Sequence, residues 1–512
     1  MLTGFILTNT RCLANILGVS TGKITILLDR YIKSCSSFIN WELIDCDCYN
    51  ELDLNDWHTY VSILNDNRCG LGLEQKGVYN TPLFIIGGDD IIPMPKMIFE
   101  GFDENEMSVD MLYCFGEGVE NNLEEIVNNV PRFAVGRLPI AKVPTDSERF
   151  TITHLSDYLD NSVSLSLNVI QSRGTLVTTL ESCLEESKNM MSDIPSVDIS
   201  PTNVTVVDDI VSCPPLDTSI QEMYDGYVHE LRKADVWVST LHGNQINPNF
   251  VGDHCYSSEN PNSVYYPPAI QASMLEQVHP YIFNTNACYG GRCTTVQLLN
   301  SMLLSALVNG TMLYYGASVS AYGCDGRLGC AMALMRLYNV YQHQGMPAGM
   351  ALLKAKQDYY HAYHGIDSDE KAMFTILEFN LFGCPILSMQ PQLDMLYKPE
   401  LPQKTMKKSR VAYRPKTAVP LINRQHKSMD INIQIKYSTD RKLASVYQKI
   451  ESEVYHYYRT DNVELEQVFR LTQDGVQVGY RFVYKRSIGD MEMIYILECD
   501  NDGNITTAIS SL

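Results

Sequence analysis

Two segments of the chain each end an apolar stretch on a residue that could take part in nucleophilic catalysis. Residues 234–244 read ADVWVSTLHGN and place His242 directly before Gly243. Residues 280–292 read PYIFNTNACYGGR and place Cys288 at the end of a second apolar stretch. A free thiol has a pKa of about 8.5, so it is only slightly ionised at neutral pH, and a nearby imidazole shifts it towards the reactive thiolate. The two segments therefore predict a thiol nucleophile assisted by a histidine.

The pattern around these residues predicts that both lie at one edge of a parallel sheet. Between residues 165 and 390, apolar strand-like segments alternate with helical ones, such as AIQASMLEQV at 269–278. This alternation is typical of an α/β fold with a mostly parallel sheet covered on both faces. Catalytic groups of such folds gather at the carboxyl ends of the strands. If the strands before His242 and Cys288 are neighbours, their axes lie about 4.8 Å apart, which brings the imidazole and the thiol within reach.

The glycines beside the two residues fit this interpretation. Gly243 allows the chain to turn immediately after His242, and Gly290 and Gly291 are expected to leave backbone N–H groups free near Cys288 for a developing oxyanion. The thiol is expected at an accessible edge, and a sulfur sealed in the interior would undo this functional assignment. A lone cysteine after an apolar stretch is more often a small core residue, so the inference rests on both segments together.

The two motifs resemble those of a known group of enzymes. An apolar strand ending in His-Gly, followed by one ending in Ala-Cys, is similar to the signature of the caspase-like (clan CD) cysteine peptidases, and the chain most resembles their gingipain-type family. The resemblance covers roughly residues 80 to 390. It includes LFIIGGDDIIPMP (83–95), SVDMLYC (108–114), FAVGRLPIA (133–141) and the stretch 352–387, where Gly383-Cys384-Pro385 stands in place of the family's usual GDP.

The resemblance implies a caspase-hemoglobinase-like α/β/α sandwich and a role for each matching residue. It implies His242 as general base and acid, Cys288 as nucleophile, and the backbone N–H groups of Gly243 and Cys288 as the oxyanion hole. The family cleaves after Arg or Lys. The segment GASVSAYGCDG (316–326) resembles the wall of its specificity pocket, and the residues implied there, with two acidic candidates, are Ser318, Ser320, Tyr322, Asp325 and Asp193. No cofactor or catalytic metal is implied. A structural Ca²⁺ is possible by analogy, but no loop of spaced carboxylates places it.

The composition restricts the partners and the compartment. The 512 residues carry a formal net charge of −21, so nucleic acid is a poor partner because phosphate would be repelled over most of the surface. No apolar stretch approaches the roughly 18–20 residues that cross a bilayer, so neither a membrane span nor a signal peptide is expected. Fifteen scattered cysteines are typical of reduced thiols. We therefore expect a cytoplasmic protein, and the resemblance implies that it acts on a protein or peptide substrate.

Changes in pattern predict four regions. These are an N-terminal α/β subdomain at 1–160, a catalytic domain at 161–397, a basic linker at 398–428, and a small α+β domain at 429–512 whose Asp-Gly pairs indicate hairpins. A peptidase with a basic preference could cut itself in the linker, although a plain tether is the simpler interpretation.

The main expectation is an intracellular, regulated cysteine endopeptidase that forms a thioester acyl-enzyme. Two alternatives stay open: a catalytically idle scaffold on the same fold, and a transpeptidase or amidase that uses the same Cys-His pair. His254 and Cys255, in the polar loop between the two motifs, are a weaker second pair.

Overall fold

The computed structural model describes most of the chain between residues 2 and 389 and parts of the region from 446 to 510. The described residues are 2–49, 56–73, 76, 78–98, 106–115, 120, 124–142, 149–167, 175–180, 183, 187, 204–207, 228–229, 231–232, 234–244, 248–252, 255–256, 264–265, 268–293, 301–322, 329–363, 369–389, 446–447, 449–450, 464–473, 476–488 and 491–510. The predicted linker at 398–428 lies outside them.

The strands, in chain order, are β1 Leu2–Thr8, β2 Ile39–Asp45, β3 Thr81–Ile86, β4 Lys96–Met97, β5 Met107–Ser108, β6 Phe133–Leu138, β7 Thr175–Thr179, β8 Val204–Val207, β9 Val236–Thr240, β10 Phe250–Val251, β11 Cys255–Tyr256, β12 Val264–Tyr265, β13 Pro268–Ile270, β14 Ile282–Thr285, β15 Leu313–Ala317, β16 Phe379–Gly383, β17 Glu464–Gln473, β18 Val476–Ile488, β19 Met491–Asp500 and β20 Ile505–Ser510. The helices are α1 Thr10–Leu17, α2 Thr21–Cys35, α3 Trp57–Gly70, α4 Glu124–Asn128, α5 Ile152–Leu167, α6 Met302–Val308, α7 Cys330–His343, α8 Ala348–Tyr363 and α9 Asp369–Glu378.

Short polar residues and glycine set several helix ends. The side chain of Asn9 accepts a hydrogen bond from the Cys12 N–H (3.0 Å) and begins α1, which ends at Gly18 with φ +65°. Ser301 begins α6 in the same way, because its Oγ accepts from the Leu304 N–H (3.3 Å). These caps supply partners for terminal backbone groups that no intrahelical bond can satisfy.

A ten-stranded sheet forms the centre of the molecule, in the order β2-β1-β3-β6-β16-β15-β14-β9-β7-β8. All neighbouring pairs are parallel except β15 and β16, which are antiparallel. The sheet therefore has two five-stranded parallel halves that run in opposite directions and meet between β15 and β16. Strands from both predicted regions, 1–160 and 161–397, belong to this one sheet.

Both faces of the sheet are covered. Every residue of β3, β6, β9, β14, β15 and β16 is buried. Because successive side chains of a strand point to opposite faces, burial of all of them requires packing on each side. The predicted α/β sandwich with a mostly parallel sheet is confirmed.

A buried ion pair fixes one half of the sheet. Arg137 on β6 donates from Nε and Nη2 to the two carboxylate oxygens of Asp110, both at 2.7 Å. Its Nη1 also donates to the carbonyls of Gly87 (2.9 Å) and Ile92 (2.7 Å). The pair thus joins three of the segments that carry the family resemblance, which explains why those segments contain an Asp and an Arg.

The described residues near the C-terminus form a separate antiparallel sheet in the order β17-β18-β19-β20. The hairpin between β19 and β20 turns through Gly503, whose φ is +79°, as the Asp-Gly signal at Asp502 predicts. The other two predicted turns, at 474–475 and 489–490, lie outside the described residues.

Within the parts of the chain that the structure describes, no individual helix has both the length and the apolar character that crossing a bilayer requires, although α1 and α2 satisfy the test together as a pair bent by 111°.

Candidate active site

The strands that lead to His242 and Cys288 are neighbours in the sheet, as predicted. β9 and β14 pair in parallel, with Ser239 opposite Thr285 at the last paired position. Three further residues on each chain lead to His242 and to Cys288, so the two residues leave the sheet at the same level and on the same edge. The register alone therefore places the histidine opposite the cysteine.

The two strand ends are in direct contact at Gly243. A Cβ at this position would overlap the carbonyl oxygen of Cys288 and would lie 2.8 Å from its carbonyl carbon and 2.9 Å from its nitrogen. Real Cβ atoms do not approach backbone so closely, so only glycine fits here. The sequence predicts a glycine that frees a turn, and the structure adds that it permits contact between the two backbones.

The backbone of His242 is held by a bridge to β10. The His242 N–H donates to the carbonyl of Val251 (3.0 Å), and the Val251 N–H donates back to the carbonyl of His242 (3.1 Å). Both backbone groups of the histidine are thereby used, which leaves its ring for other contacts. The residue is 7% exposed.

The chain turns sharply after Cys288. Tyr289 has a left-handed φ of +59°, and the N–H of Gly290 donates to the carbonyl of Ala287 (3.0 Å). The N–H of Gly291 donates to the carbonyl of Ala317 (2.8 Å). The expectation that Gly290 and Gly291 leave free N–H groups for an oxyanion is therefore wrong, because the turn and its neighbour use both groups.

Residues 317–322, which we name the covering segment, lie along this turn. Residues 317, 319 and 321 meet 291, 289 and 288 respectively, so the covering segment runs antiparallel to the turn. The Ala321 N–H donates to the Cys288 Sγ (3.4 Å), and the thiol lies 3.7 Å from the Ala321 carbonyl oxygen. Cys288 is only 1% exposed. The expectation of an accessible thiol is wrong for this structure, because the covering segment encloses the sulfur.

Three predicted pocket residues belong to the covering segment. The hydroxyl of Ser318 contacts the carbonyls of Ser108 (3.0 Å) and Glu378 (3.2 Å), and Ser320 Oγ hydrogen-bonds with Tyr289 Oη (2.9 Å). The Tyr322 ring packs edge-on against another ring, that of Phe374, with centroids 5.0 Å apart. All three residues are buried. The structure thus places them on the segment whose Ala321 contacts the thiol, and their role in a specificity pocket stays a prediction.

Several predicted residues cannot be placed in this way. Asp193, Asp325 and His254 lie outside the described residues. The backbone of Cys255 belongs to β11, which pairs with β12 in a sheet of two strands separate from the main sheet.

Sequence reasoning missed three buried polar residues near this edge: Thr240, Asn286 and Glu378. Each is fully buried. Burial raises the pKa of the Glu378 carboxyl well above its usual range, and the nearby charge of Lys356 only partly opposes this shift. A carboxylate within the apolar stretch TILEFNLF was the available signal.

Among the described residues, no group of three or more His, Cys, Asp or Glu side chains is arranged to hold a metal ion. The possible Ca²⁺ site stays a prediction from the resemblance.

No protein-family model matches the sequence, and no curated protein matches it. The fold is similar to that of solved structures at low identity. A complex of the pro- and mature domains of Porphyromonas gingivalis RgpB is 11% identical, with 100% of this chain and 99% of that chain covered and a TM-score of 0.48. A second structure, named only as a protease, is 10% identical, with 100% and 97% covered and a TM-score of 0.48. The Saccharomyces cerevisiae separase–securin complex is 11% identical over 60% of this chain and 16% of that chain, with a TM-score of 0.31. At these TM-scores the likeness carries no argument about the site.

Proposed function

We propose that the chain is a cysteine-type endopeptidase in which Cys288 is the nucleophile and His242 the general base and acid. One observation carries the proposal: the β9–β14 register puts the two residues at the same level of adjacent strand ends, with Gly243 in contact with the Cys288 backbone. A thiol and an imidazole held on neighbouring strand ends form the pair that nucleophilic catalysis requires.

The reaction proceeds in two halves. His242 takes the proton of the Cys288 thiol, and the thiolate attacks the carbonyl carbon of the scissile bond to form a C–S bond. The N–H groups of Gly243 and Cys288 are proposed to hold the oxyanion, because both belong to the contact between the strand ends. The C–N bond then breaks as His242 protonates the leaving amine. Water, deprotonated by His242, attacks the thioester and releases the acid and the free thiol.

The substrate is proposed to be a protein or peptide cleaved after Arg or Lys. The resemblance implies this preference, and a net charge of −21 favours the approach of basic peptides. We propose no cofactor for these steps and no nucleic-acid or membrane partner, and we place the enzyme in the cytoplasm. Self-cleavage within 398–428 belongs to the same proposal, and matching intact masses for wild type and Cys288→Ala would rule it out.

The enclosed thiol contradicts the expected accessible groove and speaks against a peptidase that is active in this form, so the proposal requires a rearrangement. With Cys288 1% exposed and Ala321 on its sulfur, a peptide carbonyl reaches the nucleophile only after the covering segment moves. We therefore propose that the described structure is a resting form, and that displacement of residues 317–322 precedes acylation.

A positional-scanning peptide library tests the function on wild type, Cys288→Ala and His242→Ala. We expect hydrolysis by wild type with a preference for Arg or Lys, and a loss of at least about 1,000-fold in each variant. Hydrolysis that survives in Cys288→Ala would overturn the mechanism.

The same assay separates the alternatives. No turnover of any peptide, together with no labelling of Cys288 by a thiol-reactive peptide, would favour an idle scaffold. Products joined to an added amine acceptor would indicate a transpeptidase.

A further inference from the structure

The covering segment is fixed at its two ends. The N–H of Ser318 donates to the carbonyl of Glu378 (2.9 Å), and the Ser318 hydroxyl donates to the carbonyl of Ser108 (3.0 Å). At the other end, the carbonyl of Tyr322 accepts the N–H of Ala331, which belongs to the first turn of α7 (3.1 Å). Because these partners belong to other elements of the fold, both ends can stay in place while the middle of the covering segment moves.

The middle of the covering segment is held by the proposed nucleophile and by the residue that follows it. The Tyr289 N–H donates to the carbonyl of Val319 (2.9 Å), and Tyr289 Oη hydrogen-bonds with Ser320 Oγ (2.9 Å). The Ala321 N–H donates to the Cys288 Sγ over a longer distance (3.4 Å). Because sulfur is a weak acceptor, the two contacts of Tyr289 are the stronger of the three.

Tyr289 makes these contacts in an unfavourable backbone conformation. Its φ of +59° lies in the left-handed region, which bulky residues rarely adopt. Such residues persist only where their surroundings hold them, and they are concentrated at functional sites and switch regions. Here the hydroxyl of Tyr289 is held by Ser320, and its ring lies beneath the guanidinium of the partly exposed Arg292, whose Cζ is 5.4 Å from the ring centroid.

We propose that Tyr289 is a latch, whose hydrogen bond with Ser320 keeps the covering segment over the Cys288 sulfur until that bond breaks. This inference rests on the proposed function and names the contact that regulates the site. When the middle of the segment leaves, the Tyr289 N–H loses the Val319 carbonyl. An extended peptide substrate brings backbone carbonyls that can replace it, so substrate binding compensates for the opening.

A purely structural role for this hydrogen bond is the competing explanation. Tyr289 and Ser320 are both buried, and on that explanation their bond stabilises the whole fold. The two explanations differ at a distant buried thiol. Cys384 is 0% exposed and follows Gly383, which pairs with the first residue of β15, so it lies at the opposite edge of the sheet from Cys288. A general loss of stability should expose both thiols, whereas loss of a latch should expose Cys288 alone.

The test measures the rate at which iodoacetamide alkylates Cys288 in the folded protein, by peptide mass mapping, with Cys384 as the internal reference. Ser320→Ala and Tyr289→Phe each remove the bond between the two hydroxyls. Each should raise the Cys288 rate by about 5-fold, which is the effect expected of one buried hydrogen bond, and leave the Cys384 rate unchanged. The double variant should exceed either single variant by less than about 2-fold, because both changes remove the same contact.

Two further variants complete the test. Arg292→Gln changes a partly exposed side chain, so it tests the latch even if the buried substitutions do not fold. Loss of its contact with the Tyr289 ring should raise the Cys288 rate by about 2-fold. Ser388→Ala is the matched control, because Ser388 is also a buried serine whose hydroxyl makes a hydrogen bond, here to the carbonyl of Gly345 (2.8 Å). It should leave the Cys288 rate unchanged.

Unchanged Cys288 rates in folded Ser320→Ala and Tyr289→Phe would overturn the latch, and so would rates that rise equally at Cys288 and Cys384. Effects that multiply in the double variant would show that the two residues act separately, which would also overturn it. The alkylation rates do not depend on peptidase activity. Wild type that cleaves no peptide would therefore overturn the proposed function, while the control of thiol access by Tyr289 would stand.

Discussion

Buried polar groups have hydrogen-bond partners around Arg137, whereas others near the junction of the two halves of the sheet have none. In the half that contains β6, the Arg137–Asp110 pair is completely buried, and its hydrogen bonds also hold two backbone carbonyls. In the half that contains β14, Asn286 is buried and neither atom of its amide has a hydrogen-bond partner. Glu378 is buried in the same condition directly before β16, at the antiparallel junction where the two halves meet. The comparison shows that the partnered groups around Arg137 link several segments of the fold, whereas Asn286 and Glu378 form no such links through their side chains.

The largest effect is expected on the satisfied side. Asp110→Ala leaves the Arg137 guanidinium buried without its counter-ion, so the free energy of unfolding should fall by about 3–5 kcal/mol, measured by urea denaturation. The double variant Asp110→Leu with Arg137→Met removes both charges and should recover most of that loss. A loss below about 1 kcal/mol in Asp110→Ala would contradict the stabilising role of the Arg137–Asp110 pair.

The contact between the strand ends should be nearly as sensitive. Gly243→Ala places a methyl group on the Cys288 carbonyl, so it should cost about 1–3 kcal/mol of stability and lower kcat/KM by about 100-fold. Gly22→Ala is the control, because a Cβ there meets nothing within 4 Å. Full activity in Gly243→Ala would contradict the proposed contact at the site.

The buried Glu378 should make the stability of the protein depend on pH. In the folded protein Glu378 stays protonated above its usual pKa of 4.5, whereas in the unfolded chain it ionises. Between that value and its raised pKa the unfolded state binds fewer protons, so rising pH favours unfolding by up to about 1.4 kcal/mol per pH unit. The stability of wild type should therefore fall relative to Glu378→Gln as the pH rises from about 4.5. Parallel pH profiles of the two proteins would show that Glu378 is already compensated.

The smallest effect concerns access to the thiol. The exposed Cys48 and Cys69 should react with iodoacetamide at the rate of free thiols, while Cys288 should react at least about 10-fold more slowly, because the covering segment encloses it. Peptide mass mapping at timed intervals measures the three rates. Equal rates would mean that the covering segment does not protect the sulfur in solution.

Much of the fold could be predicted because its signals are local. The apolar stretches gave the parallel strands, and the residues after them gave His242 and Cys288 at one edge. Residues 269–278 show the limit of such signals. Their spacing predicts an α-helix, but the structure has the end of β13 followed by a short 3-10 helix at Ala272–Glu276. Pairing of β13 with β10, which is not local, overrides the periodicity.

Other features depend on contacts between distant parts of the chain. The opposite directions of the two halves follow from where β16 enters the sheet, and the enclosure of Cys288 follows from where the covering segment runs. The residues of β16 and of the covering segment do not by themselves specify these contacts. Glu378 was missed for a further reason. What distinguishes it is that its carboxylate oxygens have no hydrogen-bond partner, and a sequence does not show which hydrogen bonds are absent.

The position of β16 has a consequence for how the molecule is made. This strand, near residue 380, lies between β6 and β15, so each of those two strands pairs with β16 and not with the other. A nascent chain that has not reached Phe379 therefore exposes two unprotected strand edges and has no shared strand between its halves. The potential nucleophile is synthesised some ninety residues earlier, about five to twenty seconds ahead at ordinary translation rates. The ribosome-bound chain accordingly carries Cys288 well before the scaffold that would make it a catalyst exists.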